Sequence, residues 1–364
     1  MEGKRIGVAS NSHKAINNLL KDIEALAQEQ RVRFSGIKKS SREEQFFGGS
    51  MIVDTLDNDA ATQGGHRLIA GTAWLFARSD LDQALDYLFI DEAGQVSLAN
   101  VLAMGVSAKN IVLVGDQMQL SQPIQGAHPG GSGVSGLEHL LGGLATVAPD
   151  RGIFLANTFR MHPDICRFIS NAVYDGRLES DASAKQQRIE ILQGTDAALA
   201  STGIRFVPVE HAGFAQRCPP EAERLKQAFA ALLGKTWIDR HGAKHVIGLD
   251  DILVVSPYNM QVNHLCDLLP AGARVGTVDK FQGQEAAAVL ISMTTSSGDD
   301  MPRNIEFLYS RNRLNVAISR ARCLSVIFAS PRLLEIPCNT IEQMQLVNTL
   351  CWAKNYSDQL ARGT

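Results

Sequence analysis

The sequence predicts an α/β protein of two consecutive units, each built around a mainly parallel sheet. Short apolar segments alternate with longer stretches of helical character, which is the order that parallel α/β folds follow. Several apolar segments are near-continuous runs of Val, Ile and Leu, as expected for strands that are covered on both faces. A length of 364 residues also favours two domains, at about 150 residues per domain.

Ten apolar segments are predicted to be strands, and three longer segments are predicted to be helices. The strand candidates are residues 5–9, 67–72, 87–90, 110–114, 152–155, 204–209, 251–256, 274–278, 287–293 and 324–329. The helix candidates are residues 13–30, 163–174 and 220–234, the last with Pro near its start and Gly at its end. We place a domain boundary near residue 155, which gives units at 1–155 and 156–335 and a helical tail at 336–364.

Composition excludes several kinds of protein. A formal net charge of −3 argues against binding nucleic acid by overall charge, although it leaves room for a local basic groove. The six cysteines are too far apart to form a zinc knuckle or a compact iron–sulfur motif, so free thiols in a reducing cytoplasm are expected. No apolar run is long enough for a membrane span, and the N-terminus lacks the apolar core of a signal peptide. We therefore expect a cytoplasmic protein.

Two carboxylates, Asp91 and Glu92, directly follow the predicted strand at 87–90. Ligands of open α/β sheets bind beyond the carboxyl ends of the strands, where Asp91 would reach Mg²⁺ through water and Glu92 would orient or deprotonate an attacking water. An acidic pair can equally begin a helix, where its charge is favourable.

The next predicted strand ends in Gly115 and Asp116, with Gln119 three residues later. A turn at this point would project the Gln119 amide toward whatever the neighbouring strand end holds, such as a γ-phosphate or a water. The alternative is an ordinary polar loop.

Two later segments carry arginines that suit phosphate. Arg160 precedes a His-Pro pair that opens a predicted helix, and Arg313, Arg320 and Arg322 surround an apolar stretch. The planar guanidinium stays charged and binds phosphate with two hydrogen bonds, although a single arginine is more often a surface residue. Between them, the polar turn "GTVDKFQGQE" at 276–285 follows a predicted strand, and it could also be a conventional strand-to-helix loop.

Taken together, these segments resemble a superfamily 1B helicase of the Upf1/Dna2-like branch. "DEAGQ", "GDQMQL", "TFRMHP", "GTVDKFQGQE" and "LNVAISRAR" occur in the order and rough spacing of helicase motifs II to VI. "RIGVASNSHKAINNLL" is similar to motif Ia, and "LIAGTAWLFAR" is similar to motif Ic. The resemblance implies two tandem RecA-like domains. In its detailed residues, the sequence of these segments is similar to that of bacterial proteins that fuse a RecB-like nuclease to this module. Such proteins act on DNA in processes such as repair.

The resemblance implies catalytic roles for five residues. Asp91 and Glu92 would be the magnesium and water residues. Gln119 would couple the γ-phosphate to the nucleic-acid groove. Arg160 and Arg320 would be the arginine fingers of the second RecA-like domain.

The same resemblance implies two sets of binding residues. Those near the nucleotide would be Glu285, Gln282, Gly283, Gly115 and Asp116. Those near a single strand of nucleic acid would be Ser10, Asn11, Ser12, His13, Thr72, Thr277 and Lys280. Trp74 would either stack on a base or fill the core, and the core is favoured. The implied cofactors are ATP and Mg²⁺, and the implied partners are single-stranded nucleic acid, with DNA favoured, and an upstream nuclease domain of the same protein.

A complete phosphate-binding loop, Gly-x4-Gly-Lys-[Ser/Thr], is missing from the sequence. Gly234-Lys235-Thr236 has the right ending, but Phe229 stands where the first glycine belongs and a predicted helix precedes it. We expect that the first domain is incomplete at its N-terminus, and that its sheet lacks the central strand and exposes unpaired edges. This chain alone is then the C-terminal portion of a helicase without ATPase activity. The alternative is a non-hydrolysing nucleic-acid-binding module that keeps the helicase fold.

Overall fold

A computed structural model describes residues 3–121, 129–192, 195–281 and 283–363. The chain divides between Leu144 and Ala145 into two compact units. Each has its own sheet and its own apolar core.

The first unit contains a six-stranded, fully parallel sheet. Its strands are β1 Ile6–Ala9, β2 Gly36–Lys39, β3 Ile52–Thr55, β4 Leu68–Gly71, β5 Tyr87–Ile90 and β6 Ile111–Leu113. Its helices are α1 His13–Glu29, α2 Asn58–Gln63, α3 Ala73–Phe76, α4 Leu98–Gly105 and α5 Gly136–Leu141. The strand order is β3-β2-β4-β1-β5-β6, and every pairing is parallel.

Both faces of this sheet are covered, because successive residues of a strand point to opposite faces. Val8 packs in one apolar cluster with Ile16 and Leu20 of α1, whereas Ala9 packs in the other with Leu75 and residues of the helices beyond it. The near-continuous apolar runs of the sequence therefore reflect two-sided burial. The described strands pair in one continuous sheet from β3 to β6; the absence of a further central strand stays a prediction.

The second unit contains a five-stranded parallel sheet and two smaller ones. Its strands are β7 Asn157–Thr158, β8 Glu179–Ser180, β9 Arg188–Ile189, β10 Gly203–Pro208, β11 Thr236–Ile238, β12 Lys244–Val246, β13 Ile252–Val255, β14 Arg274–Gly276, β15 Ala286–Ser292 and β16 Ala321–Ala329. The main sheet has the order β10-β16-β15-β13-β14. Antiparallel strands β12-β11-β9 form a second sheet, and β7 pairs with β8.

Six helices complete the second unit, and the last of them closes one edge of the main sheet. The helices are α6 Pro163–Val173, α7 Pro219–Leu232, α8 Asn259–Leu268, α9 Ile305–Leu308, α10 Arg311–Ser319 and α11 Ile341–Arg362. Ser357 of α11 accepts a hydrogen bond from the N–H of Phe206 in β10, and the Tyr356 hydroxyl donates to the carbonyl of Asp164 in α6. Among the described helices, none combines the length and the apolarity that a membrane crossing requires.

The predicted α/β class with mainly parallel sheets is confirmed. One predicted strand, residues 152–155, is wrong: the segment forms no strand, and Ile153 and Leu155 are 87% and 76% exposed. β2 and β3 were not predicted. The sequence of β2 contains Lys38, which is fully buried and is held by Ser40 Oγ at 2.6 Å and by Asp54 at 3.8 Å. A buried lysine interrupts the apolar pattern, so a strand that contains one is not predicted from that pattern.

Candidate nucleotide and nucleic-acid site

The strands β4, β1, β5 and β6 of the first unit end level with one another. Ala9 at the end of β1 lies opposite Gly71 of β4 and Ile90 of β5, and Ile90 lies opposite Leu113 of β6. The segments that follow these strands therefore lie side by side along one edge of the sheet, which is where ligands of parallel α/β sheets bind. They include the residues predicted around positions 10, 72, 91 and 115.

The turn after β5 carries the two acidic residues. The N–H of Asp91 donates to the carbonyl of Ala9 at 2.8 Å, which ties this turn to the end of β1. Glu92 adopts a left-handed conformation, φ 54° and ψ 40°, uncommon for a residue with a side chain. Burial raises the pKa of the Asp91 carboxyl, and a hydrogen bond from the Glu92 backbone opposes this only in part. A half-buried carboxylate of this kind is stabilised by a divalent cation.

Two glycines bring the turn after β6 against the acidic turn. A Cβ atom on Gly115 would lie 2.6 Å from the backbone nitrogen of Ala93, and a Cβ on Gly94 would lie 2.6 Å from the carbonyl oxygen of Asp116. Asp116 then organises its own loop: its Oδ1 accepts from the N–H of Met118 and its Oδ2 from the side-chain amide of Gln119, each at 2.9 Å. Two adjoining turns thereby carry the four predicted polar residues, Asp91 and Glu92 on one and Asp116 and Gln119 on the other.

The loop after β1 leaves buried polar atoms without hydrogen-bond partners. Asn11 Nδ2 donates to the carbonyl of Gln95 at 2.5 Å, which joins this loop to the acidic turn, and Ser12 caps α1. Among the described residues, Ser10 Oγ, His13 Nδ1 and Gln95 Nε2 are buried and make no hydrogen bond. Because buried polar groups are normally paired, these atoms are available to a ligand or a water at this edge. Donors beside a half-buried carboxylate fit a phosphate ligand with Mg²⁺.

The pKa of His13 is lowered, first by burial and then by the charges of Lys38 and Lys39. His13 is consequently neutral at physiological pH.

The segment after β4 corrects one prediction. Thr72 is the residue before α3, and its side chain makes no capping hydrogen bond. Trp74 is 86% exposed, so the expectation that it fills the core is wrong. α3 has only four residues, and Leu75 and Phe76 take the two core positions. Trp74 is left on the solvent side.

In the second unit, Glu285 joins two arginines. Glu285 Oε2 accepts from Arg160 Nε at 2.7 Å, and Oε1 accepts from Arg322 Nη2 at 2.5 Å and Nε at 3.2 Å. Burial alone would raise the pKa of Glu285, but the hydrogen bonds from Arg322 and Arg160 outweigh it and lower the pKa. Arg322 also stacks over Trp237, at 5.4 Å from the ring centre. The structure thus holds both guanidiniums in fixed positions around one carboxylate.

Arg320 lies beside this group but is almost entirely buried, at 2% exposure. Its Nε donates to the carbonyl of Val316 at 3.2 Å and its Nη1 to that of Gln284 at 3.4 Å. The predicted Arg160, Arg320 and Glu285 are therefore brought together. The role of Arg322 as the second partner of Glu285 was not predicted. No local pattern signals this pairing, because Arg320 ends α10 in a helical conformation and only Arg322 lies in β16.

Thr277 lines a cleft in the second unit with a cavity volume of about 270 Å³. Its other lining residues are Gln216, Pro257, Tyr258, Asn259, Met260, Asp279, Arg303, Phe307 and Arg313. The Phe307 ring packs against the guanidiniums of Arg303 and Arg313, at 4.3 and 4.7 Å from its centre, and 5.6 Å from the Tyr258 ring. This combination of aromatic rings and cations suits a strand of nucleic acid.

Three further predicted residues lie close in sequence to this cleft. Lys280 is exposed and its Nζ donates to the carbonyl of Val275 at 2.8 Å. Gly283 has a φ of +71°, which a residue with a side chain rarely adopts. Gln282 lies outside the described residues.

The segment Gly234-Lys235-Thr236 is not a phosphate-binding loop. It follows the C-terminus of α7, Gly234 has a φ of +76°, and Thr236 begins β11 of a small antiparallel sheet. A phosphate-binding loop instead connects a strand to the N-terminus of a helix, where backbone N–H groups point at the ligand.

Residues 137–332, more than half of the chain, match the AAA_12 family, described as an AAA domain. The chain belongs to this AAA domain family. Several of the proteins that it is similar to are named helicases. It is 30% identical over 251 residues to the DNA polymerase alpha-associated DNA helicase A of Schizosaccharomyces pombe, covering 66% of this chain and 36% of that protein. It is 24% identical to the DNA replication ATP-dependent helicase/nuclease DNA2 of Gallus gallus, covering 94% of this chain and 31% of that protein.

The mouse RNA helicase Mov10l1 is also similar, with 28% identity over 282 residues, 69% of this chain and 23% of that protein. The chain thus spans about a third or less of the length of these relatives. The family members that it resembles include both DNA and RNA helicases.

Proposed function

We propose that this AAA domain chain belongs to the motor of an ATP-dependent helicase or translocase of superfamily 1B, which moves on single-stranded nucleic acid, with DNA favoured. The observation that carries the proposal is the contact of Gly94 with the backbone at Asp116, and of Gly115 with that at Ala93. These two contacts hold the turn with the Asp91 and Glu92 carboxylates beside the turn with the Asp116 carboxylate and the Gln119 amide. The sequence similarity to helicases supports it.

In the first unit, Asp91 would hold Mg²⁺ through water, and Glu92 would accept a proton from the attacking water. Gln119, supported by Asp116, would sense the γ-phosphate. When bound, Mg²⁺·ATP supplies a phosphoryl group whose transfer to water releases the energy for movement.

In the second unit, Arg160 and Arg320 would stabilise the negative charge that develops during phosphoryl transfer. Glu285 and the glycines Gly115 and Gly283 would contribute to the nucleotide site. Arg322 is added to this group because it shares Glu285 with Arg160. A guanidinium held by a carboxylate is already oriented, so less entropy is lost when it engages phosphate.

The 364-residue chain by itself would bind ATP very weakly and hydrolyse it at no meaningful rate, because its sequence contains no complete Gly-x4-Gly-Lys-[Ser/Thr] loop. A segment of the full-length protein would supply that loop, together with a nuclease domain. Titration calorimetry with Mg²⁺·ATP tests this part: a micromolar dissociation constant for the chain alone would contradict it.

Single-stranded nucleic acid would contact both units through separate surfaces. In the first unit these are Ser10 to His13 and Thr72, and in the second unit they are Thr277, Lys280 and the cleft with Arg303. The binding would be dominated by phosphate contacts and would weaken steeply with salt.

Fluorescence anisotropy with a labelled single strand tests the nucleic-acid part. We expect binding at about 50 mM salt, and the logarithm of the association constant should fall linearly with the logarithm of the salt concentration. Arg303→Ala should reduce the slope by about 0.7, the value for one phosphate contact on a single strand. Arg362→Ala, an exposed arginine at the end of α11, is the matched control and should leave the slope unchanged. Equal slopes for both variants would remove the cleft from the proposal.

A non-hydrolysing nucleic-acid-binding module with the same fold is the second candidate, and the incomplete phosphate-binding loop favours it. The genomic sequence upstream of the Met1 codon distinguishes the two. An in-frame Gly-x4-Gly-Lys-[Ser/Thr] within about forty codons, as a strand–loop–helix of that motif requires, supports the motor. Its absence from the whole reading frame supports the binding module.

A further inference from the structure

Three side chains of different chemistry meet in the interior of the second unit. A ring nitrogen of His211, the Sγ of Cys218 and a carboxylate oxygen of Glu221 all lie within 4.8 Å of one another. The side chains of His211 and Glu221 are 1% and 0% exposed, and Cys218 is fully buried. Cys218 is the residue that precedes α7, Glu221 lies in the first turn of this helix, and His211 lies in the loop before it. None of the helicase motifs includes these residues.

The outer atoms of His211 and Glu221 are already engaged. His211 Nδ1 lies 2.7 Å from Ser296 Oγ, and Glu221 Oε2 accepts from Ser292 Oγ at 2.6 Å and from the N–H of Thr294 at 2.7 Å. The inner atoms, Nε2 and Oε1, face each other at 2.9 Å. Metal-binding imidazoles and carboxylates are held in this manner by a second layer of hydrogen bonds, which leaves the inner atoms to the ion.

The third residue of the group is fixed by its backbone. The fully buried side chain of Gln261 accepts from the N–H of Cys218 at 2.8 Å, and it donates to the Cys218 carbonyl at 3.1 Å and to Ser292 Oγ at 3.0 Å. The backbone of Cys218 is therefore held in place next to His211 and Glu221. A position held this rigidly is expected of a built ligand set.

We propose that His211, Cys218 and Glu221 bind a Zn²⁺ ion. Imidazole, thiolate and carboxylate are the three ligand types that zinc takes in proteins. A thiolate, a carboxylate and a neutral imidazole together carry two negative charges, which the ion cancels, so the buried site becomes neutral. Binding breaks the hydrogen bond between His211 Nε2 and Glu221 Oε1, with the imidazole proton carried on Nδ1 toward Ser296 Oγ; it forms three metal–ligand bonds and releases the thiol proton of Cys218 to solvent.

The distances agree with this ion after a small adjustment. Zinc bonds of about 2.0–2.3 Å in tetrahedral geometry separate the ligand atoms by about 3.3–3.6 Å. The present separations run from 2.9 Å to no more than 4.8 Å, so side-chain shifts of about an ångström suffice. The ion would join the start of α7 to the loop that carries His211, and Glu221 also holds Thr294, which lies just beyond β15 and has a φ of 72°.

Metal analysis of the untagged 364-residue chain tests the proposal. After removal of metals with a chelator, reloading with Zn²⁺ and gel filtration, we expect about one zinc per chain. Cys218→Ser should lower the zinc affinity at least tenfold in competition with a chromophoric chelator, since a ligand matters no less than its hydrogen-bonded support. Cys266→Ser is the matched control, because Cys266 is exposed and lies outside the group; it should retain one zinc.

Cobalt substitution reads out the thiolate directly. Co²⁺ should give the absorption bands of a tetrahedral site with a thiolate ligand in the original chain and in Cys266→Ser, but not in Cys218→Ser. Circular dichroism checks that each variant is folded, and the conservative Glu221→Gln provides a second variant. Less than about one-tenth of an equivalent of zinc on the original chain, or identical cobalt spectra for Cys218→Ser and Cys266→Ser, would overturn the proposal and leave a hydrogen-bonded His211–Glu221 pair. Neither result depends on ATPase or helicase activity.

Discussion

Gly94 and Gly115 stand where two backbone turns are in direct contact, with less space than a methyl group requires. An added Cβ at Gly115 would reach 2.6 Å from the nitrogen of Ala93, and one at Gly94 would reach 2.6 Å from the oxygen of Asp116. The N–H of Ala93 also donates to the carbonyl of Val114 at 2.9 Å, so the two turns are hydrogen-bonded as well as packed. Neither turn can move without the other.

Gly115→Ala should therefore destabilise the first unit and displace its acidic turn. The methyl group meets backbone atoms rather than a flexible side chain, so the cost should be about 1–3 kcal/mol in the free energy of unfolding. Urea denaturation followed by circular dichroism measures it. Gly248→Ala is the control, because Gly248 has a φ of −103° and its added Cβ would meet nothing closer than 3.8 Å. Equal stability for both variants would mean that the two turns separate easily.

Asp91→Asn should stabilise the chain at neutral pH when no metal is present. The folded state holds an ionised carboxylate that burial disfavours, and asparagine removes that charge while keeping the acceptor for the Glu92 N–H. The free energy of unfolding should increase by roughly 0.5–1.5 kcal/mol, the usual range for a single stabilising substitution. Thermal melting in EDTA measures it.

The pH dependence of this gain has a definite sign. The pKa of Asp91 is raised in the folded state, so the original protein loses stability as the pH rises from the ordinary aspartate pKa, about 3.9, through the raised value. Asp91→Asn does not titrate, so its advantage should be largest at pH 7 and vanish near pH 4. Asp22→Asn, on the exposed face of α1, is the control and should show no such trend. A constant difference across this range would contradict the burial of Asp91.

Glu285→Gln should destabilise the second unit, because it weakens the hydrogen bonds to Arg160 and Arg322 and leaves two guanidiniums without their shared anion. Since Glu285 is about one-third exposed, the loss should be only about 1 kcal/mol. The pKa of Glu285 is lowered in the folded state, so its contribution is present above the unfolded pKa, about 4.3, and is lost as the pH falls through the folded value.

Thermal melts of Glu285→Gln and the original chain between pH 3 and pH 7 measure this contribution. The difference should be greatest at pH 7 and shrink in acid. Glu223→Gln is the control: this exposed residue lies 3.7 Å from Lys226 in an ordinary helix pair and should change stability by less than about 0.5 kcal/mol. A difference for Glu285→Gln that grows in acid would have the wrong sign for a paired carboxylate.

Local sequence was sufficient to predict an element wherever its apolar or amphipathic pattern was uninterrupted. β5 was predicted with its bounds unchanged, and α1 and α6 within one residue at their ends, because their apolar spacing and caps agree with the fold. Lys38 broke the apolar pattern of β2, and its burial depends on Ser40 and Asp54, which no local pattern reveals. Residues 152–155 show the reverse: this apolar run forms no strand, and only Phe154 packs, against Tyr174 and Arg177, while Ile153 and Leu155 stay exposed.

The site residues were located by type and order, but their partnerships were not. Glu285 was predicted near the nucleotide, yet its pairing with Arg160 depends on a contact across 125 residues of chain. The acidic motif contains Gly94, but the sequence predicts no role for this glycine. Its role depends on the turn after β6, which packs directly against it. Contacts of this kind are set by tertiary packing and not by spacing along the chain.

Trp74 should stack on a base of single-stranded DNA. It is 86% exposed at the carboxyl edge of the first sheet, and β2, which ends in Lys39 with Arg42 close behind, runs beside β4 on one side. Base–aromatic stacking contributes about 1–3 kcal/mol, so Trp74→Ala should weaken binding of an oligo-dT strand by about 5- to 150-fold. Trp74→Phe should keep part of the affinity, because it retains a ring.

Tryptophan fluorescence provides an independent reading of this contact. Of the three tryptophans, Trp237 is buried and Trp352 packs edge-on against Phe168, so quenching by oligo-dT should come from Trp74. Trp74→Phe should lose the quenching, whereas Trp352→Phe, the matched control, should keep it. The stacking assignment fails if Trp74→Phe is quenched as strongly as the original chain, or if Trp74→Ala binds the strand with unchanged affinity at low salt.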